Sequence, residues 1–177
     1  DKTTEVSVQA GATVYSLKHQ GGKGEALMYA LKKTDADIIV FFDADLIGLN
    51  EESVSKLIKP VVSGEKVMNV GLRDRGRIGI AIARHMPLIS GERALKREIL
   101  EAIPDKYMNG FMIETALNYY CRSHGFSYGT VVLKGVTIRR KYQKVNLLTA
   151  MIQYVKMFID VAKAMLIVRS ARLFGKF

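Results

Sequence analysis

The segment Asp37-Ile-Ile-Val-Phe-Phe-Asp-Ala-Asp-Leu46 (DIIVFFDADL) carries an unbroken apolar run into two carboxylates one residue apart. A continuous apolar run of this length predicts a strand covered on both faces, as in a parallel sheet. Side chains two apart in an extended chain point the same way, so Asp43 and Asp45 are expected to present both carboxylates at the strand's carboxyl end. Two like charges that close repel. A hard divalent cation, Mg2+ or Mn2+, removes the conflict, because it takes one or two carboxylates and completes its shell with water and phosphate oxygens. The carboxyl ends of strands are also where open α/β sheets bind ligands. Taken alone, Asp-x-Asp reads more plainly as a polar turn leaving a strand.

Outward from this segment the chain alternates between strand and helix patterns. Upstream, ATVYSLK (12–18) predicts a strand, HQGGKG a loop and EALMYALKK a helix. Residues 2–10 are ambiguous: their β-branched content favours a strand, whereas Gly11 suits a helix end. Downstream, Asn50 is expected to cap a helix over 51–63 that ends at Gly64, with Pro60 as the discordant residue. KVMNVGLR (66–73) predicts a strand, 91–102 and 111–123 predict helices, and a further strand is expected within 128–140. From 146 to 174 runs one helical pattern whose polar residues Thr149, Gln153, Lys156, Asp160 and Lys163 fall three or four apart. These charges interrupt it too often for a bilayer span of about 20 apolar residues. It is expected to close over the core, to lie in a membrane surface with Arg169, Arg172 and Lys176, or to meet a partner helix.

With 177 residues, 49% of them hydrophobic, the chain can bury a proper core. A single cysteine, Cys121, excludes an intrachain disulfide framework and a cysteine-rich zinc site, and suits a reducing, cytoplasmic setting. No basic-then-apolar leader opens the sequence. Lys and Arg number 27 against 17 Asp and Glu, a net charge of +10 that points to phosphate-bearing partners. Without Trp, and with basic residues scattered rather than interleaved with aromatics, no nucleic-acid surface is expected. HQGGKGEA lacks the Ser or Thr that a Walker A motif needs after Lys, so it is no ATPase signature. Its glycines and Lys23 can still bring N–H groups and an ammonium to a phosphate.

The ordered set GGKGEAL (21–27), DADL (43–46), SGERALKRE (90–98) and GFMIETALN (110–118) resembles the family 2 glycosyltransferases with a GT-A fold. The likeness extends to the branch containing polyprenyl-phosphate sugar synthases, although Ile47 stands where that branch often carries Gln. The resemblance implies an α/β fold, a mixed sheet flanked by helices. Residues 1–142 would form a partial GT-A domain that lacks its opening strand–helix–strand, followed by a C-terminal amphipathic helix over 143–177. It implies that residues 2–10 are helical.

In function, the resemblance implies a metal-dependent inverting transferase that moves a sugar from a nucleotide-diphosphate-sugar, a UDP- or GDP-sugar, to an acceptor. Asp43 and Asp45 would hold Mg2+ or Mn2+ against the diphosphate, while Lys23 and Arg93 would serve the donor. Glu114 would stand beside the acceptor. For a hydroxyl acceptor it would take the proton; a lipid phosphate would need no base. A lipid phosphate or glycan acceptor, with peripheral contact at the inner face of the cell membrane, fits the basic balance. Two rivals stay open: a nucleotidyltransferase, and a catalytically incomplete basic membrane- or partner-binding module.

Each residue also has a structural reading. Glu114 could favour a helix N-terminus or pair with an Arg, and Ser90 could cap a helix. Arg73, Arg75, Arg77 and Arg84 could close over a diphosphate or be solvated. His19, His85 and His124 show no mutual ligand spacing. Cys121 and the aromatics Tyr119, Tyr120, Phe126 and Tyr128 read as core.

Overall fold

The computed structural model describes residues 2–17, 22–74, 90–108 and 112–138, together with 159, 162–163 and 165–170. It divides into two compact units, Asp1–Asp35 and Ala36–Phe177. In the first, α1 (Thr3–Gln9) is the helix that the family resemblance implied. It ends at Gly11, whose φ is +85°, and the Ala12 N–H reaches back to the Ser7 carbonyl at 3.0 Å, the bond of a Schellman turn. The strand expected at 12–18 is absent from the described residues 12–17, which carry no regular structure. The second helix, α2 (Gly22–Leu31), starts at a glycine with φ of +77° and buries Gly24 and Leu31.

The second unit is built on a four-stranded sheet in the order β1 (Ile38–Phe41), β4 (Arg93–Lys96), β3 (Met68–Arg73), β5 (Tyr128–Leu133). β4 runs antiparallel to both β1 and β3, while β3 and β5 are parallel, so β1, β3 and β5 all point one way. The DIIVFF run was expected to be a strand within a parallel sheet. Instead β1 pairs only with β4 among the described strands, antiparallel, and is half-buried. Its residues divide between the two faces, with Ile38, Val40 and Phe42 packed on the core cluster. A second, two-stranded ribbon joins β2 (Leu46–Ile47) to β6 (Thr137–Ile138).

Helix α3 (Glu51–Val62) covers one face of the sheet. Asn50 caps it as expected, its side-chain oxygen accepting from the Ser53 N–H at 2.9 Å. Its apolar stripe, Leu57 and Val61, packs with Ala94, Leu133 and Val136. Pro60 cannot give the Lys56 carbonyl its helical N–H. A neighbouring strand repairs the defect: Asn69 Nδ2 of β3 donates to the carbonyls of Lys56 (3.3 Å) and Leu57 (3.0 Å).

The helix expected over 91–102 divides into β4 and a short α4 (Arg97–Glu101). Ala, Leu, Lys and Arg are good helix formers, but the segment lies between two strands whose ladders it completes, and that overrides propensity. The helix expected at 111–123 forms as α5 (Met112–Ser123), burying Ile113, Glu114, Thr115, Ala116, Leu117, Asn118 and Cys121. Tyr119, Tyr120 and Tyr128 are only half-buried and Phe126 is exposed, so these aromatics are not the core expected of them. Of the expected terminal helix, 159, 162–163 and 165–170 are helical, with Val168 buried and Ile159, Leu166 and Ile167 exposed. The rest of that expectation, and the arginine-rich connection from 75, fall outside the described residues. Among the described residues no helix is long and apolar enough to cross a membrane.

Candidate active site at the carboxyl edge of the sheet

Because β4 is reversed, its amino end meets the carboxyl ends of β1, β3 and β5. One sheet edge therefore gathers Asp43 and Asp45 after β1, Arg73 and Asp74 at the end of β3, Ser90 to Arg93 at the start of β4, and the turn after β5. Asp74 fastens two of these segments: its N–H donates to the Val136 carbonyl (3.0 Å), and its Oδ2 accepts from the Gly135 N–H (3.4 Å).

Asp43 and Asp45 do not sit on an extended strand, as the alternation argument assumed. Ala44 and Asp45 form a turn, closed by the Leu46 N–H donating to the Asp43 carbonyl at 3.4 Å. Phe42 and Leu46, on either side, both pack against the core beneath α3, so the turn is anchored at each end. Gly48 follows with φ of +80°, and a Cβ there would strike the Gly135 carbonyl. Asp43 is half-buried and Asp45 exposed.

A divalent metal fits this donor set as one partner among several. Among the described residues, no three His, Cys, Asp or Glu side chains cluster to hold an ion. Asp43 and Asp45 therefore offer two hard oxygen donors, which suits an ion that draws the rest of its shell from phosphate and water.

Deeper at the same edge lies a buried polar group. Glu92 is fully buried; its Oε2 accepts from the Ser90 hydroxyl at 2.6 Å, and Ser90 Oγ also contacts the Gly71 carbonyl. Ser90 thus binds within the sheet edge rather than capping a helix. Arg73 Nε stands 3.7 Å from Glu92 Oε1, an ion pair too long for a hydrogen bond, and both atoms are buried without a hydrogen-bond partner. Gly71 makes room: a Cβ there would lie 2.7 Å from Leu133 Cδ1 and 3.2 Å from Glu92 Cβ.

Arg93, next along β4, faces the other side of the sheet and is 1% exposed. Its Nη1 donates to Asn118 Oδ1 of α5 at 2.8 Å and contacts Met68 Sδ at 3.6 Å, and its Nε donates to the Ser90 carbonyl at 3.2 Å. Burial lowers its pKa to about 10, and the negative charge that most opposes this is Glu114. Glu114 lies in the first turn of α5, one turn before Asn118, and is buried. Asn118 was not singled out from the sequence, although its i+4 spacing from Glu114 places both on one helix face.

Lys23 belongs to the first unit, exposed in the opening turn of α2. His124 stacks with Phe126 and lies against Tyr120 at the far end of α5.

The profile of glycosyl transferase family 2 matches residues 1–125. Glucosyl-3-phosphoglycerate synthase of Mycobacterium tuberculosis is 30% identical over 154 residues, covering 66% of this chain and 47% of the relative. The chain thus spans about half the length of the curated relatives it matches. The crystal structure of that synthase in complex with Mn2+, UDP-glucose and phosphoglyceric acid superposes with a TM-score of 0.72 at 26% identity, covering 94% of this chain and 64% of that one. Its complex with Mg2+ and UDP superposes with a TM-score of 0.63 at 28% identity, covering 80% and 57%.

Proposed function

The chain belongs to glycosyl transferase family 2, and from that premise we propose that it transfers a hexose from a nucleotide-diphosphate-sugar, UDP-glucose first among the candidates, to a small phosphorylated acceptor bearing a hydroxyl. The observation that carries this reading is the anchored Asp43–Asp45 turn at the sheet edge it shares with Glu92 and Arg73. The choice of donor and acceptor draws on the relatives, whose structures hold UDP-glucose and phosphoglyceric acid. A lipid acceptor and a membrane contact, both expected from the basic balance, have no counterpart in those complexes.

In this reading Asp43 and Asp45 hold Mg2+ or Mn2+ against the donor diphosphate. When bound, the ion acts as a Lewis acid that offsets charge on the departing nucleoside diphosphate. Glu114 receives the proton of the acceptor hydroxyl. Burial of Glu114 keeps water from competing for that proton. The anomeric coupling in the product reports the stereochemistry. Inversion places Glu114 as a base on the face opposite the diphosphate; retention leaves it orienting the hydroxyl.

Calorimetric titration of the full-length protein with UDP-glucose and GDP-mannose, with and without Mn2+, tests the reading. Metal-dependent binding of one donor is expected, weakened at least about tenfold in Asp43→Asn and Asp45→Asn. Equal binding with and without Mn2+, or no binding of either donor, would overturn it. Release of pyrophosphate in place of nucleoside diphosphate would identify a nucleotidyltransferase instead.

A further inference from the structure

The donor contact implied for Arg93 meets a guanidinium enclosed within the protein. We infer that Arg93 is a positioning residue: held between the start of β4 and helix α5, it fixes the Glu114 carboxylate for transfer. This rests on the role of Glu114 proposed above.

Three observations support it. First, the guanidinium has contacts in three places, the Ser90 carbonyl at the strand's entry, the Met68 sulfur of β3 and the Asn118 oxygen of α5. The guanidinium therefore locks the helix to the strand one turn from Glu114. Second, Asn118 Nδ2 is buried with no hydrogen-bond partner. Flipping the amide would turn that nitrogen toward Arg93 and lose the 2.8 Å bond, so Arg93 dictates the orientation of Asn118. Third, the neighbouring acidic side chains Glu92 and Glu114 are both buried, and each acts favourably on the Arg93 charge. A neutral side chain at 93 would remove this buried counter-charge from Glu114.

A residue that touches the donor changes KM, whereas one that aims the catalytic carboxylate changes kcat. In the full-length protein with Mn2+, UDP-glucose and phosphoglyceric acid, Arg93→Met is expected to lower kcat at least about tenfold with donor KM within about twofold. Arg93→Lys keeps the charge without the planar fork and is expected to recover part of the loss. A donor KM that rises tenfold at constant kcat would overturn the inference, as would wild-type kcat in both variants.

A denaturation cycle with Arg93→Met, Glu114→Gln and the double variant reads the pairing without any transfer assay. Glu114→Gln is expected to restore much of the urea midpoint lost in Arg93→Met, and strictly additive shifts would overturn the pairing. A wild-type protein that transfers no sugar, with the cycle still coupled, would sink the transferase reading and the positioning role with it. Arg93 would then be a structural partner of Glu114 alone.

Discussion

Helices α3 and α5 are both twelve residues long, and they bury different chemistry. α3 turns inward Leu57 and Val61, with Ser53 near its cap, and its charges stay in water. α5 encloses Glu114, Thr115 and Asn118 among its apolar residues. Burial of polar groups costs free energy unless they are bonded, so a helix that carries them inward marks where chemistry rather than packing has shaped the interface. The sheet divides in the same sense. On one side of β4 Arg93 is bonded to strand and helix; on the other Glu92 keeps one oxygen without a hydrogen bond.

The comparison breaks first in activity. Glu114→Gln is expected to lower kcat by about 10²–10⁴, and to lower the denaturation midpoint by less than that loss of rate, because the buried Arg93 loses a counter-charge. A loss of stability as large as the loss of rate would make α5 a packing helix like α3.

Next comes Leu57→Ala, at a fully buried position of α3. It is expected to cost about 2–5 kcal/mol in urea denaturation and to leave kcat unchanged under conditions where the variant is folded.

Asn69→Ala is smaller, about 1–3 kcal/mol, because it strands the Lys56 carbonyl, which Pro60 leaves without a helical N–H. Pro60→Ala restores the helix's own donor to Lys56, so the double variant should recover part of this loss. If Asn69→Ala costs the same in both backgrounds, the strand does not serve the proline's missing bond.

The smallest effect separates the helices by pH. Burial raises the Cys121 thiol in α5 from 9.0 to about 11, against the pull of Arg93. The folded state thus holds a proton that the unfolded chain releases, so this contribution is complete below pH 9 and is lost as pH rises toward 11. Urea midpoints across that window should fall less in Cys121→Ala than in the parent.

What the sequence made legible follows the same division. The Asn50 cap, the Gly64 terminus and the apolar spacing of α3 are local signals, and the helix formed where they placed it. β3 and α5 were legible for the same reason. β4 was not, because its residues favour a helix and only the ladders of β1 and β3 make it a strand. The carboxylate pair was visible in DADL, but its turn geometry depends on Leu46 and the ribbon partner at Ile138, far along the chain. SGER was legible as a segment; alternation sends its Glu92 and Arg93 to opposite faces once it is a strand. Asn69 gave no signal, since its partner is a carbonyl left open by a proline on another element.

That last pairing also works as an alignment mark. Side chains repeat every two residues along a strand, so a slip of β3 by one repeat would keep the same set of residues facing α3. It would carry the Asn69 amide about 7 Å away from the carbonyls it serves. Such a misaligned chain would carry two penalties together, an enclosed amide and an unanswered carbonyl. The proline that interrupts the helix thereby helps the strand find its correct position among otherwise interchangeable neighbours.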